Sequence, residues 1–276
     1  MSLLETTGLT LHAGTATLVD DLGLTLAAGE RVGLVGESGS GKSMTALAAL
    51  GLLPDAVTAT GSALLDGHEV VGAADAAVRR LRGPVAGIVF QEPLTALDPL
   101  MRVGRQIAEP LRRHRGLRGA ALRDAVTRAL ADVSLEGNRV ARAYPHELSG
   151  GQRQRVAIAI ALAADPRLLI ADEPTTALDV TVQDEVLTLL ERLVADRDMG
   201  LLFISHDLAV VSRMVDRVLV LQRGRLVEEG TVGRVLGAPQ HPYTRSLVDS
   251  ARYLDAALDV GAGSHGVESN RDGEAR

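Results

Sequence analysis

Cysteine is absent from this chain of 276 residues, and aromatic residues make up only 2% of it. Without cysteine there can be no disulfide, no thiolate nucleophile and no cysteine-ligated zinc or iron–sulfur cluster, which favours a cytosolic protein. Aliphatic side chains must therefore fill the core, and a hydrophobic content of 46% is sufficient for this. The length allows one large domain, or a core with a smaller companion.

An excess of positive charge and long apolar runs are also missing. Asp and Glu number 35 against 29 Lys and Arg, whereas a protein that binds the phosphate backbone of nucleic acid is basic. Nucleic acid is therefore not an expected partner. The longest apolar runs, residues 46–54 and 156–164, are far shorter than the ~20 residues that span a bilayer. The first residues also lack the basic start of a secretory signal, so we expect a chain that does not cross a membrane by itself.

Apolar stretches and turn residues alternate along the chain in a pattern typical of α/β proteins. Strands are predicted within residues 3–35, broken by turns near 10–14 and 28–30. The elements predicted after these are a helix over 43–53 that stops at Pro54, a helix from 149 to 164, a strand over 168–171, a helix over 180–197 and a strand over 201–204. Strands that alternate with helices favour a parallel sheet.

Two regions depart from this alternation. Between residues 92 and 148 apolar side chains recur at helical spacing, which predicts a mostly helical insert. The residues that show this spacing are Val103, Ile107, Leu111, Leu122, Val126, Leu130 and Val133. Residues after about Asp255 are rich in Gly, Ser, Asn and charge, and we expect them to lack regular structure.

The most specific motif surrounds the single lysine of the chain, Lys42. It fits G-x-x-x-x-G-K-[ST], follows a predicted strand and opens a predicted helix, as a phosphate-binding loop requires. Glycines let backbone N–H groups wrap a polyphosphate, while the lysine reaches the β and γ phosphates and the Ser43 hydroxyl ligates Mg²⁺. The residues predicted to bind the nucleotide are Gly36, Glu37, Ser38, Gly39, Ser40, Gly41, Lys42, Ser43 and Thr45.

Two carboxylates follow the apolar strand predicted at 168–171. Asp172 and Glu173 stand at the C-terminal end of that strand, where α/β folds bind ligands. Asp172 is predicted to hold Mg²⁺ through water, and Glu173 to accept the proton of an attacking water. The alternative interpretation is that one of them only caps the turn that begins at Pro174.

A second candidate anion site has the sequence LSGGQ at residues 148–152. Its polar and glycine residues precede a long apolar helix, whose N-terminus presents backbone N–H groups. The residues predicted to bind there are Ser149, Gly150, Gly151 and Gln152. One chain needs two anion sites only if they bind different nucleotides, or the same nucleotide from opposite sides.

Together these motifs resemble the ATP-binding cassette family. The sequence LSGGQ is the signature of that family, and here, as there, it precedes the Asp172 motif. Gln91 occupies the position of the Q-loop glutamine, residues 177–179 resemble the D-loop with Asp179, and His206 resembles the switch histidine. The resemblance covers residues 4 to about 251, and its motifs occur in family order.

The resemblance implies an α/β fold, namely a P-loop NTPase core of the RecA type with an N-terminal β subdomain and a helical subdomain. The implied division is 1–91 and 149–235 for the nucleotide-binding core, 92–148 for the helical subdomain, and 236–276 for a C-terminal extension and tail.

The same resemblance implies ATP and Mg²⁺ as the bound groups. It makes Glu173, His206 and Gln91 catalytic, and it places Ser43, Gln91 and Asp172 around the metal. In the family two chains enclose two ATP molecules, each held by the P-loop of one chain and the LSGGQ segment of the other. A dimer in which Asp179 also contributes to the nucleotide site is therefore implied.

Three segments narrow the resemblance to the ATPases of peptide and nickel importers: residues 36–43, 91–99 and 241–247, the last with the sequence HPYTRSL. The implied function is ATP hydrolysis coupled to uptake of di- or oligopeptides, with nickel as the second cargo. The implied partners are two membrane permease subunits, a second ATPase that is a paralogue or another copy, and indirectly an extracytoplasmic binding protein. The implied location is peripheral, on the cytoplasmic face of the inner (plasma) membrane.

Some features depart from this family, and two rival interpretations stand beside it. Where the family stacks an aromatic ring on adenine, this sequence offers only His12, and the four-cysteine iron–sulfur site of some peptide importers cannot form.

A non-transport cassette of DNA repair carries a long coiled coil in place of residues 92–148, and ribosomal cassettes are usually paired in one chain. A regulatory module without turnover is disfavoured because Glu173 and His206 are both present.

Overall fold

The computed structural model describes residues 2–92, 96–176 and 178–263 of the chain. Its strands are β1 Ser2–Ala13, β2 Ala16–Ala27, β3 Arg31–Val35, β4 Val57–Leu65, β5 His68–Glu69, β6 Ala86–Val89, β7 Leu168–Asp172, β8 Gly200–Ser205, β9 Arg217–Gln222 and β10 Arg225–Thr231. Its helices are α1 Lys42–Ala49, α2 Asp75–Val78, α3 Val103–Arg115, α4 Gly119–Asp132, α5 Gly137–Arg142, α6 Gly150–Leu162, α7 Val180–Asp196, α8 Leu208–Met214, α9 Val232–Gly237 and α10 Pro242–Gly263. A 3₁₀ turn covers Pro145–Glu147.

The central element is a six-stranded sheet with the order β10-β9-β3-β8-β7-β6. Every neighbouring pair in it is parallel except β10 and β9, which are antiparallel. The predicted parallel α/β sheet is therefore confirmed. Because parallel strands end at the same edge, the loops that follow β3, β8, β7 and β6 leave the sheet side by side.

Both faces of this sheet are buried. On β7, Leu169 and Ala171 pack with α6 and α7, whereas Leu168 and Ile170 face the core that contains α1, β1 and β2. Strands covered on both faces are expected to be apolar along their length, and β7 and β8 are apolar up to their last residues, Asp172 and Ser205. The two cores hold the strand ends in fixed positions.

A second sheet, with the order β2-β1-β4-β5, is antiparallel. Buried leucines of β1 and β2 share one core with the alanines of α1 and with Val32 and Leu34 of β3. This is the N-terminal β part that the family resemblance implies. Its position against α1 keeps the start of that helix covered on one side.

The elements between residues 103 and 147 are all helical. The apolar residues that predicted these helices are buried, as at Val103, Ile107 and Leu130, and Leu122 is half-buried against the same core. The predicted helical insert is confirmed. The limits 92 and 148 given to it as a subdomain remain a prediction.

Two element boundaries differ from the prediction by more than two residues. Helix α1 ends at Ala49 rather than at residue 53, because Gly51 adopts a left-handed φ of 60° and the chain turns back. The N–H groups of Gly51 and Leu52 donate to the carbonyls of Ala48 and Leu47, which is a Schellman ending. Strand β1 runs to Ala13, so the turn that was predicted near 10–14 lies at residues 14–15 instead.

The expected loss of structure after about Asp255 is also wrong in part, since α10 continues to Gly263. Alanine and leucine after Tyr253 favour helix, and this preference outweighs the glycines. No helix in the described part of the chain is both long and apolar enough to cross a membrane.

Candidate functional site

Four neighbouring strand ends build one cavity of about 750 Å³. The loops after β3, β6, β7 and β8 bring Gly36, Gln91, Glu173 and His206 to the same edge of the sheet. The residues that line the cavity are Leu18, Gly36, Glu37, Ser38, Gly39, Gly41, Lys42, Ser43, Met44, Gln91, Glu173, Thr176, His206 and Leu247. Most of the residues predicted from the P-loop, the acidic pair and the family motifs are thus brought together.

The P-loop depends on glycine at two places where the backbone is crowded. A Cβ at Gly36 would lie 2.2 Å from the carbonyl oxygen of Leu221, and one at Gly41 would lie 2.7 Å from that of Leu18. Gly41, with a φ of 100°, directly precedes α1, so the loop is continuous with the start of a helix, whose first backbone N–H groups have no partner within the helix. This arrangement suits an anion.

Lys42 lies at the centre of this loop and is only 4% exposed. Its ammonium donates hydrogen bonds to the carbonyl oxygens of Gly36, at 2.8 Å, and Glu37, at 2.9 Å. Burial lowers the pKa of Lys42, and the carboxylates of Glu173 and Asp172 oppose this shift. A polyphosphate beside the ammonium would compensate the lost hydration.

A second group in the loop also points to an anion. The Ser40 hydroxyl is buried and has no hydrogen-bond partner among the residues that the structure describes. A buried hydroxyl without a partner is unfavourable by about 1–3 kcal/mol. A phosphate oxygen is an acceptor that would satisfy it.

Asp172, which is 7% exposed and is not among the residues that line the cavity, contacts Ser43, which does line it. The Ser43 hydroxyl donates to Oδ1 of Asp172 at 3.0 Å, although 129 residues separate them in sequence. Burial raises the pKa of Asp172, and the charge of Glu173 raises it further. The Ser43 hydroxyl and the Lys42 ammonium act in the opposite direction, but the pKa stays above its usual value. A cation at this carboxylate would favour its charged form.

The donor set fits Mg²⁺. The Ser43 hydroxyl, the Asp172 carboxylate and the amide oxygen of Gln91 are hard oxygen ligands, and magnesium is commonly held by one or two carboxylates plus substrate phosphates. No cluster of three His, Asp or Glu side chains able to hold a metal occurs in residues 2–92, 96–176 and 178–263. The metal preference of this site therefore depends on a bound phosphate.

Three side chains converge on a single oxygen of Glu173. Its Oε2 accepts from the Gln91 amide at 3.2 Å and from the Thr176 hydroxyl at 2.9 Å, and it lies 3.3 Å from Nδ1 of His206. The Glu173 side chain is 12% exposed, and its backbone has a left-handed φ of 45°. This strained turn directs the carboxylate toward the cavity. Thr176 was missed by the sequence analysis, since a threonine after Pro174 carries no signal of its own.

The LSGGQ segment lies elsewhere on the chain. Ser149 caps α6: its Oγ accepts from Gln152 N at 3.3 Å, while Oε1 of Gln152 accepts from Ser149 N at 3.1 Å. Ser149 and Gly150 are exposed, and none of the residues 149–152 lines the cavity that contains Lys42. A Cβ at Gly151 would lie 2.5 Å from Val182, so this glycine permits close packing on α7.

Four other predicted ligands are also not among the residues that line the cavity, namely Ser40, Asp172, Thr45 and Asp179. The hydroxyl of Thr45 is completely buried and donates to the carbonyl of Gly41 at 3.0 Å, so the structure does not place this side chain at the cavity, and its contact with nucleotide stays a prediction. Met44 lines the cavity instead. Asp179 is exposed and caps α7 by accepting from Val182 N at 3.0 Å. Two predicted segments, 93–95 and Ala177, fall outside the described residues.

His12, the residue suggested for the adenine contact, does not lie in the cavity lining either. Its imidazole lies 3.2 Å from the Thr17 hydroxyl and does not line the cavity. The apolar residues that do are Leu18, Met44 and Leu247. The sequence did not indicate them, because aliphatic residues are too common to mark a base-binding surface.

These observations predict weak discrimination between nucleobases. No Phe, Tyr or Trp lines the described cavity, and aromatic pairing is worth about 0.5–1.5 kcal/mol. We expect GTP to compete with ATP within about tenfold in affinity, measured by displacement of a fluorescent ATP analogue. His12→Ala should leave both affinities unchanged. A loss of ATP affinity in that variant would show that the imidazole holds the base.

The fold and the site define a class. A P-loop follows a central strand, and an acidic pair follows the second strand from it. The same chain also has a glycine-rich helix start that is capped by a serine. These features are typical of a P-loop protein that hydrolyses nucleotide and has a cassette arrangement.

A family model for ABC transporters matches residues 19–176. The chain is 50% identical over 242 residues to the peptidoglycan transport ATP-binding protein YejF of Agrobacterium fabrum, covering 86% of this chain and 44% of that protein. It is 46% identical over 244 residues to the oligopeptide transport ATP-binding protein OppD of Salmonella typhimurium, covering 88% and 73%. Among solved structures, the cassette MJ0796 in a dimeric post-hydrolysis state with ADP and phosphate is 30% identical with a TM-score of 0.73, covering 83% of this chain and 98% of that one.

The chain therefore belongs to the ABC transporter family, the ATP-hydrolysing cassettes, as its motifs predicted. The matched span contains the P-loop, the LSGGQ segment and the acidic pair. The chain spans less than half the length of YejF, with 44% covered, and 73% of OppD.

Proposed function

We propose that the chain is the ATP-hydrolysing subunit of an importer for di- or oligopeptides. The observation that carries this proposal is the convergence of Gln91, Thr176 and His206 on one oxygen of Glu173, in the cavity that Lys42 also lines. The names of the relatives OppD and YejF support peptide-containing cargo.

In the proposed reaction the P-loop N–H groups and Lys42 hold the phosphates of ATP. A water oxygen attacks the γ phosphorus while the bond from that phosphorus to the β–γ bridging oxygen breaks, which gives ADP and inorganic phosphate. Glu173 accepts the proton that the water loses. Gln91 and His206 hold this carboxylate in place, at 3.2 and 3.3 Å from its Oε2.

Ser43, Gln91 and Asp172 are the residues that would hold Mg²⁺. When bound, the ion would neutralise negative charge that develops on the β and γ phosphates. Asp172 and Ser43 already contact each other at 3.0 Å, so two of these ligands are in place before nucleotide binds.

We propose that the LSGGQ segment acts on the nucleotide of a second cassette. Its exposed Ser149, Gly150 and helix start lie outside the cavity of their own chain, so a ligand for them must come from elsewhere. An ATP molecule on a partner chain provides that ligand and would be enclosed between two chains. The partner is a paralogous ATPase or a second copy of this chain.

The remaining partners are two membrane permease subunits and, indirectly, an extracytoplasmic binding protein that selects the cargo. We propose the division into a core of 1–91 and 149–235, a helical subdomain of 92–148 and a C-terminal extension from 236. In this arrangement Gln91 leads from the cavity into the helical subdomain, which would contact the permeases at the cytoplasmic face of the membrane. Nickel is the alternative cargo.

The proposal is tested by uptake in cells. Cells in which Lys42→Ala replaces the parent gene should lose uptake of a labelled tripeptide and keep uptake of radioactive nickel. Arg79→Ala, which changes a side chain that is 56% exposed, is the matched control and should leave both at the parental level. If the variant lost nickel uptake alone, the chain would be the ATPase of a nickel importer and not of a peptide importer. Two unchanged uptakes would exclude import of either cargo.

A further inference from the structure

The segment HPYTRSL, residues 241–247, has no part in the proposed reaction, yet it lies against the P-loop. It forms the start of α10, and Leu247 lines the nucleotide cavity. Tyr243 is 8% exposed and Thr244 is 1% exposed, so this first turn is packed into the protein. The contact joins residues that are 206 positions apart in sequence.

The start of α10 is held firmly by β10. Glu228, itself 8% exposed, accepts hydrogen bonds from Gln240 N and His241 N, both at 2.9 Å. These two N–H groups immediately precede the helix, and one carboxylate satisfies both. The position of Tyr243 is therefore set by the central sheet.

The Tyr243 hydroxyl contacts the backbone of the P-loop. Its oxygen accepts a hydrogen bond from Glu37 N at 2.9 Å. The carbonyl oxygen of the same residue, Glu37, accepts from the Lys42 ammonium at 2.9 Å. Glu37 is thus held at its N–H by the C-terminal helix and at its carbonyl by the lysine that faces the nucleotide.

We propose that Tyr243 is a positioning residue for nucleotide binding, which acts by fixing the Glu37 backbone that orients the Lys42 ammonium. The inference rests on the proposed role of Lys42 at the phosphates. Removal of the Tyr243 hydroxyl leaves Glu37 N without this acceptor, so the loop can rotate and the ammonium loses one of its two fixed carbonyl partners.

The first measurement is the affinity for ATP. Tyr243→Phe keeps the ring and its packing but removes the acceptor, and we expect the Kd for ATP and the KM to rise about fivefold, the size of one hydrogen bond, with kcat and melting temperature near the parental values. Tyr253→Phe is the matched control, because Tyr253 lies on the same helix and is 78% exposed. It should change nothing.

The second measurement observes the lysine directly. Since Lys42 is the single lysine of the chain, protein grown with isotope-labelled lysine gives one side-chain NMR signal that needs no assignment. ATP should move this signal in the parent. Tyr243→Phe should move it before nucleotide is added, and Tyr253→Phe should not.

The outcomes separate the inference from the function on which it rests. If ATP leaves the parental lysine signal in place, the assignment of Lys42 to the phosphates is wrong. If ATP moves that signal but Tyr243→Phe changes neither the signal nor the Kd, the role of Tyr243 alone is wrong. Weaker ATP binding with an unmoved lysine signal would also overturn it, because Tyr243 would then act by another route.

Discussion

Replacement of Lys42 with alanine should reduce ATP hydrolysis by at least about 100-fold, the typical effect of removing one group that stabilises transition-state charge. The ammonium is 4% exposed and fixed by two backbone carbonyls, so it is already oriented for the phosphates. No other lysine exists in the chain to replace it. Release of inorganic phosphate from ATP is the measurement.

Arg79→Ala is a suitable control for this variant, because it also removes one positive charge but from a side chain that is 56% exposed. It should hydrolyse ATP at the parental rate. Parental hydrolysis by Lys42→Ala itself would show that the loop at residues 36–43 is not the site of ATP turnover.

Replacement of Glu173 with glutamine should slow hydrolysis by about 10²–10⁴-fold, the range for general acid–base groups. Glutamine keeps the shape and can keep the contacts with Gln91 and Thr176, but it does not accept a proton from water. ATP binding should persist, since the P-loop and Lys42 are untouched. Single-turnover phosphate release and ATP binding are measured on the same preparation, with Glu109→Gln, at a side chain that is 60% exposed, as the control.

The slow variant also tests the two-chain arrangement. ATP that persists between two cassettes stabilises their association by mass action, so Glu173→Gln should form a dimer with ATP but not with ADP. Light scattering after size-exclusion chromatography detects it, for the chain alone and mixed with the second ATPase of the transporter.

The blocking variant for this experiment is Ser149→Asp in the Glu173→Gln background. Aspartate preserves the cap of α6, because its carboxylate can accept from Gln152 N as the serine does, but its charge repels a phosphate. The ATP-dependent dimer should disappear. A dimer that survives this change would exclude contact between the LSGGQ segment and the nucleotide of a partner chain.

Much of the site could be predicted because its residues follow buried strands. Strand β7 is apolar up to its last residue, so Asp172 at its end and Glu173 directly after it are conspicuous in the sequence. Parallel pairing then places the residues after β3, β6 and β8 beside them. The gathering of Gln91, Glu173 and His206 follows from this strand order.

The residues that could not be predicted reach the cavity from distant segments through packing. Leu18 comes from β2 and Leu247 from α10, and nothing in an aliphatic side chain shows what it will face after folding. Thr45 was assigned by its place beside the motif, but the turn of α1 directs its hydroxyl back to Gly41. The end of α1 was overestimated because its apolar pattern continues past Gly51, where the backbone does not.

The position of β6 in the sheet has a mechanical consequence. Strands β3, β7 and β8, which precede the loops that contain Gly36, Glu173 and His206, each pair with neighbours on both sides. Among the described strands, β6 is an edge strand of four residues that pairs with β7 alone. Displacement of an edge strand breaks one ladder rather than two. Gln91, which follows β6 and precedes α3, thus follows the one strand of these four that is paired on a single side, and we expect a movement of α3–α5 against the sheet to change its 3.2 Å contact with Glu173.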